Sequence, residues 1–130
     1  MLLDTHVVVW LTSKPSQLSS KAASAIRRAR TDGGISIADI SLWELALLFS
    51  RGRLRAPGTV EASVRGIVEG AGASIKPITL EIAALATQFP EDFPHDPVDR
   101  LISATARAEG ITLITHDRRL RQSPLLKTLW

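Results

Sequence analysis

Short apolar runs alternate along this chain with longer amphipathic stretches, and that alternation constrains the fold more than any other feature. It is the pattern of βαβ units, whose strands lie parallel in one sheet. Met1–Leu3 reads as a first strand and His6 to Leu11 as the start of a helix. Ser19 and Ser20 can cap a helix with Ala22, Ala23, Ile26 and Ala29 at helical spacing, and Gly33-Gly34 breaks it. Ile35–Ile37 reads as the second strand, followed by a helix from about Ile40 to Phe49 that Arg51-Gly52 stops. A basic loop leads to a helix over Val60 to Val68, a strand over Ala73 to Ile78 and a helix over Thr79 to Thr87. Phe89 to Pro97 holds three prolines and reads as a loop before a helix over Val98 to Glu109. Ile111–Ile114 is the fourth strand, Arg118–Arg121 a short helix, and Leu125 to Trp130 a last strand. The expected fold is α/β with a central, mostly parallel sheet. Three residues is short for a central first strand, where about five or six are usual.

The 130 residues suit a single domain, 1–130, large enough to bury one core. Without cysteine the chain has no disulfide, thiolate metal site or thiol nucleophile, which suits a reducing cytoplasm. No run approaches the roughly 18 apolar residues of a membrane span. The chain opens directly on a strand-like run rather than a basic-then-apolar leader, so neither membrane nor signal peptide is expected. The pI near 10.0 overstates the basicity, because the net charge is only +3 and no tyrosine or cysteine titrates below lysine. Twelve of the 16 cations are arginine, which pairs as readily with carboxylates as with phosphates. Composition therefore favours a nucleic-acid partner only weakly.

Four acids mark the places where strands should end or helices begin: Asp4, Glu44, Asp99 and Asp117. Each has an ordinary explanation taken singly. Asp4 can end a strand and cap the next helix, Ser41–Glu44 matches a capping box, and Asp117 can cap the last helix. Asp96-Pro97-Val98-Asp99 reads as an N-cap, a proline at the first helical position and an acid in the first turn. The conjunction says more. A parallel sheet binds ligands outside the carboxyl ends of its strands, where strand order reverses. If the first and fourth strands flank that point, Asp4 and Asp117 face each other, and carboxylates so gathered repel unless a cation joins them. An oxygen-only pocket of this kind suits Mg²⁺ or Mn²⁺ and points to a metal-dependent hydrolase.

Other residues add less. His6, His95 and His116 show no zinc-ligand spacing. Trp10, Trp43, Trp130 and the three Phe are dispersed, which argues against a base-stacking platform and for core or partner-facing roles. Thr5 and Thr115 are placed to orient carboxylates or to cap. A receiver- or dehalogenase-type phosphoryl-transfer domain would call for an acidic pair after the first strand and a lysine near the later ones. Asp4 is followed instead by Thr-His-Val, and no lysine lies near Asp117.

Four blocks carry a resemblance: Leu2-Leu3-Asp4-Thr5-His6, Ser41-Leu42-Trp43-Glu44-Leu45-Ala46, Asp96-Pro97-Val98-Asp99-Arg100-Leu101-Ile102, and Leu113-Ile114-Thr115-His116-Asp117. In this order and spacing they resemble PIN-domain ribonucleases, and among these the VapC toxins of bacterial toxin–antitoxin pairs. Val98 departs from the aromatic frequent at its position. The resemblance implies a three-layer α/β/α fold and a metal-dependent endoribonuclease. Asp4, Glu44, Asp99 and Asp117 would hold Mg²⁺ or Mn²⁺, with Thr5, Asp96 and Thr115 in support. It implies an RNA substrate, which Arg51, Arg53, Arg55 and Arg100 are candidates to guide, with Glu44 a candidate proton acceptor. It also implies a cognate antitoxin, for which Trp10, Trp43, Leu47 and Leu48 are docking candidates, and a homodimer. The competing readings are a catalytically inactive PIN-like module that binds RNA or protein, and a nuclease that also cuts DNA.

Overall fold

The computed structural model describes all residues, 1–130, and its sheet is wholly parallel, with strand order β3-β2-β1-β4-β5. The strands are β1 (Leu2–Leu3), β2 (Ile35–Ala38), β3 (Ala73–Lys76), β4 (Leu113–Ile114) and β5 (Thr128–Leu129). Helices α1 (Thr5–Ser13) and α2 (Ser20–Asp32) join β1 to β2; α3 (Ile40–Ser50) and α4 (Val60–Ala71) join β2 to β3. Then α5 (Leu80–Ala86) and α6 (Pro97–Ala108) lead into β4, and α7 (Arg118–Gln122) leads into β5. The predicted elements are all present, but every strand except the second is shorter than expected, the fourth and fifth most of all. Only two residues of each meet a neighbour in register, Leu113 and Ile114 against Leu2 and Leu3 on one side and Thr128 and Leu129 on the other.

Alternation along each strand sorts the core into two layers. Leu2 and Leu113 point into the layer under α5 and α6 with Ile102, Phe89 and Phe93. Leu3 and Ile114 point into the opposite layer with Val7, Val8 and Ile26 of α1 and α2. Burying each such side chain stabilises the fold by about 1.5–3 kcal/mol, which explains how so short a first strand stays central. No helix is long and apolar enough to cross a membrane.

Two local devices fix α6 between the loop before it and β4. The α6 helix ends in a Schellman motif: Gly110 N–H donates to Arg107 O and Ile111 N–H to Ala106 O. Gly110 sits at φ 64°, which a residue with a Cβ adopts at a cost. Phe89 and Phe93 stack 4.0 Å apart, and Arg107 of the last turn of α6 lies over Phe89, anchoring the loop that leads to Asp96 and Asp99.

Candidate active site

Strand order reverses between β1 and β4. The chain winds outward from β1 through β2 to β3, then crosses to β4 and β5 on the other side. The register pairs Leu3 with Ile114, so the next residues, Asp4 and Thr115, leave the sheet side by side. Asp4 N–H donates to Ile114 O at 3.0 Å, and the buried Thr115 hydroxyl donates to Asp4 Oδ2 at 2.6 Å. The same Thr115 oxygen accepts from Asp117 N–H at 3.0 Å. One threonine thus ties the acid of β1 to the acid that follows β4.

Asp4 stands at the N-cap position of α1, but its side chain caps nothing. It is 6 % exposed. Burial pushes its carboxyl above the ordinary range, while the Thr115 hydroxyl pulls it down. Asp99, in the first turn of α6, is raised to about 7, first by burial and then by the charges of Asp4, Asp96 and Asp117. Asp117 goes the other way. Burial would raise it, but the backbone N–H and the guanidinium of Arg119 outweigh burial and hold it below its ordinary value. Its Oδ1 caps α7, accepting from Arg119 N–H at 2.7 Å and Leu120 N–H at 3.4 Å.

The fold therefore brings Asp4, Asp99 and Asp117 within electrostatic reach of one another. Glu44 lies half-buried a full turn inside α3. The expected capping box at Ser41–Glu44 is not formed. The helix starts at Ile40, and Ser41 is buried, its Oγ accepting from Thr5 Oγ1 at 3.0 Å. Thr5 accordingly braces α1 against α3 rather than a carboxylate. Asp96 is the N-cap of α6, its Oδ1 accepting from Val98 N–H at 2.8 Å and Asp99 N–H at 3.4 Å. Arg100 is partly committed, donating from Nε to Pro94 O at 2.9 Å. Arg51, Arg53 and Arg55 are exposed in the loop after α3 and form no ion pair.

Two residues of this edge escaped the sequence reading. Arg119 places its guanidinium 3.3 Å from Asp117 Oδ2 and 3.7 Å from Asp99 Oδ2. A lone arginine next to a cap carries no distinctive local signal. Asp39 ends β2 as Asp4 ends β1, a signal that was legible. Its Oδ2 accepts from Ile78 N–H at 2.9 Å, latching the β3–α5 connection, while its buried Oδ1 has no partner.

As the side chains stand, no three acids or imidazoles converge closely enough to ligate one ion. A Mg²⁺ needs no such cage, since it keeps several waters and takes one or two carboxylates plus substrate phosphate. The donors fit a hard cation: all are oxygens, Asp99 is burdened by its neighbours' charge, and Arg119 already places a positive group between Asp99 and Asp117.

Comparison with known proteins agrees with this architecture. Residues 1–124 match the PIN domain family. The chain is 39% identical over 132 residues to Ribonuclease VapC22 of Mycobacterium tuberculosis, covering 100% of this chain and 98% of that protein. Among solved structures, it is similar to VapBC2 from Rickettsia felis bound to a promoter DNA fragment (TM-score 0.71, 17% identity, 98% and 96% of the two chains). It is also similar to DNA-bound VapBC from Salmonella typhimurium (TM-score 0.72, 18% identity, 98% and 95%). With its acids at the switch point of a parallel sheet and a VapC ribonuclease matched end to end, the chain belongs to the PIN domain family.

Proposed function

We propose that this chain is the toxin of a toxin–antitoxin pair, an endoribonuclease that hydrolyses RNA phosphodiesters with Mg²⁺ or Mn²⁺. The observation that carries this reading is the meeting of Asp4, Asp99 and Asp117 at the sheet's switch point, with Asp99 raised to about 7 by burial and its neighbours' charge. Asp4, Asp99 and Asp117 would hold the metal, with Glu44 the fourth acid of the set. When bound, the metal steadies charge growing on the phosphoryl oxygens and lowers the pKa of an attacking water. Thr115 holds Asp4 in one orientation by the 2.6 Å bond, so its free oxygen faces the crevice without a search among rotamers. Arg119, exposed and resting on two acids, is placed to transfer its guanidinium to a phosphate of the substrate. Glu44, bonded to none of these acids, is the carboxylate left to take a proton from the attacking water.

An antitoxin, the kind of partner found in a similar toxin-antitoxin complex from Klebsiella pneumoniae, would sit in an apolar groove between α3 and α4. The groove encloses about 540 Å³ and is lined by Leu42, Ala46, Val60, Val64, Val68 and Ile75. Leu42 and Ala46 are one helical step apart, as are Val60, Val64 and Val68, so an amphipathic helix can lay its apolar side between the two ridges. Of the docking candidates, Trp43 is 55% exposed on α3, while Trp10 packs against His116 and Trp130. A homodimer belongs to the same reading, with Leu80, 93% exposed at the start of α5, as apolar surface for a second copy to cover.

The test is incubation of the pure protein with a mixed RNA pool and Mg²⁺ or Mn²⁺, beside EDTA and Asp4→Ala controls. Cutting that both controls abolish supports the reading. A folded, partner-free protein that cuts nothing with either metal would reduce it to a binding module. In a bacterial host, expression without a partner should slow growth, and Asp4→Ala should relieve it.

A further inference from the structure

A second hollow lies between α7, the start of α2 and the end of β5. It measures about 500 Å³ and is walled by Lys21, Arg118, Arg121, Gln122, Thr128 and Trp130. Leu129 completes the wall, three of the lining side chains are cations, and no lining side chain is acidic. The ion pairs of the molecule are Arg65–Glu61, Lys76–Glu109 and those of Arg119, so Lys21, Arg118 and Arg121 are all unpaired. Three cations without a carboxylate side chain to pair with, around one hollow, favour an anion there.

The wall formed by Trp130 continues toward the acids as an aromatic surface. Trp10, His116 and Trp130 form a triangle with ring centroids 5.5, 5.1 and 5.5 Å apart, and His6 lies 6.2 Å from Trp10. The dispersal of aromatics along the chain is therefore undone by the fold. Trp130 also packs on the core layer of α1 and α2, which accounts for its inner side. Packing does not account for the exposed imidazoles of His6 and His116, or for the bare cations. His116 adjoins Asp117 and His6 follows Asp4 by two residues, so the aromatic surface leads from the acids to the cations. Aromatic faces beside cations are what single-stranded nucleic acid requires, because every base has a face to stack and every link a phosphate.

We propose that this hollow seats one nucleotide of the substrate RNA, flanking the bond to be cut. Its base lies against Trp130 and His116, and its phosphate sits among Lys21, Arg118 and Arg121. This rests on the ribonuclease reading above and adds to it a place where the strand is gripped. The size agrees, since about 500 Å³ lies within the range of pockets that enclose small ligands.

The test uses the whole chain and a fluorescein-labelled hexauridylate RNA in EDTA, which prevents metal-dependent cutting, with binding read by anisotropy across a salt series. Lys21→Ala/Arg121→Ala should weaken binding about 10-fold and lower the slope of log K against log salt by about 1.4, the loss of two phosphate contacts. Trp130→Leu, which keeps an apolar contact with the core, should weaken binding about 10-fold with the slope unchanged. Lys14→Ala/Arg65→Ala, an equal loss of charge elsewhere, should leave both nearly as they are. Circular dichroism establishes that each variant folds, and the lysine–arginine double variant decides the matter if Trp130→Leu does not. The proposal is overturned if the folded variants bind RNA as the unmodified chain does. It is also overturned if they lose antitoxin instead, which would make the hollow a seat for acidic peptide. Wild-type cutting with Mg²⁺ separates the two levels. If it persists while the variants bind normally, only the nucleotide seat falls; if the wild type neither binds nor cuts, both readings fall.

Discussion

Asp99 should make the metal-free protein pay for its active site in a way that pH reveals. Its carboxyl is raised from 3.8 to about 7 by burial and by Asp4, Asp96 and Asp117. The folded state thus favours the protonated form, and the associated stability is fully present below 3.8 and lost as pH climbs through about 7. At about 1.4 kcal/mol per unit, the loss between about pH 5 and about pH 8 is about 2.5 kcal/mol. Solvent reaches 22% of the side chain, and its screening trims the figure toward about 1–2 kcal/mol. Asp99→Asn removes the titration and keeps the shape. Measured in EDTA by urea unfolding, the variant should therefore gain on the wild type by about 1–2 kcal/mol between those two pH values, or about 4–8 °C in Tm. Saturating Mg²⁺ should reverse the ranking at the higher pH, because only the wild type binds it well. A stability difference that stays constant across the pH range would refute the claim that Asp99 is held against its own charge, and with it the electrostatic case for a cation site.

Thr115→Val keeps volume but removes the 2.6 Å donor to Asp4. It should cost about 1–3 kcal/mol of stability and slow cutting, whereas unchanged kinetics would mean that Asp4 needs no brace. Arg119→Ala removes the cation that a metal must displace from Asp99 and Asp117, so Mn²⁺ titration calorimetry should show tighter binding; weaker binding would assign Arg119 a supporting role at the metal. Val64→Glu places a charge in the apolar groove between α3 and α4 and should abolish capture by the antitoxin while RNA cutting persists. Leu80→Glu should shift sedimentation from dimer to monomer, and a dimer that survives it must use another face.

Local chemistry made much of this molecule readable from the chain. Alternating apolar runs announced parallel βαβ units, since a strand buried on both faces must be apolar along its length. Asp96-Pro97 announced the start of α6, because proline lacks the N–H that a first helical turn leaves unsatisfied anyway. The acids at strand ends were legible for the same reason. Ser41 misled, because a motif read from spacing cannot tell a cap from a buried serine whose oxygen serves Thr5.

What the chain could not reveal depended on which strand lies beside which. The order β3-β2-β1-β4-β5 sets Asp4 against Thr115, 111 residues away, and makes one hydroxyl serve two acids. It brings Arg119 between Asp99 and Asp117. It also folds Trp10 and Trp130 into contact from opposite ends of the sequence. Periodicity reports which face of an element is buried, and nothing in it names the partner across the sheet. The elements and the chemistry of the acids were thus set locally, whereas the charge on Asp99 and the aromatic path to the cations exist only once the sheet has closed.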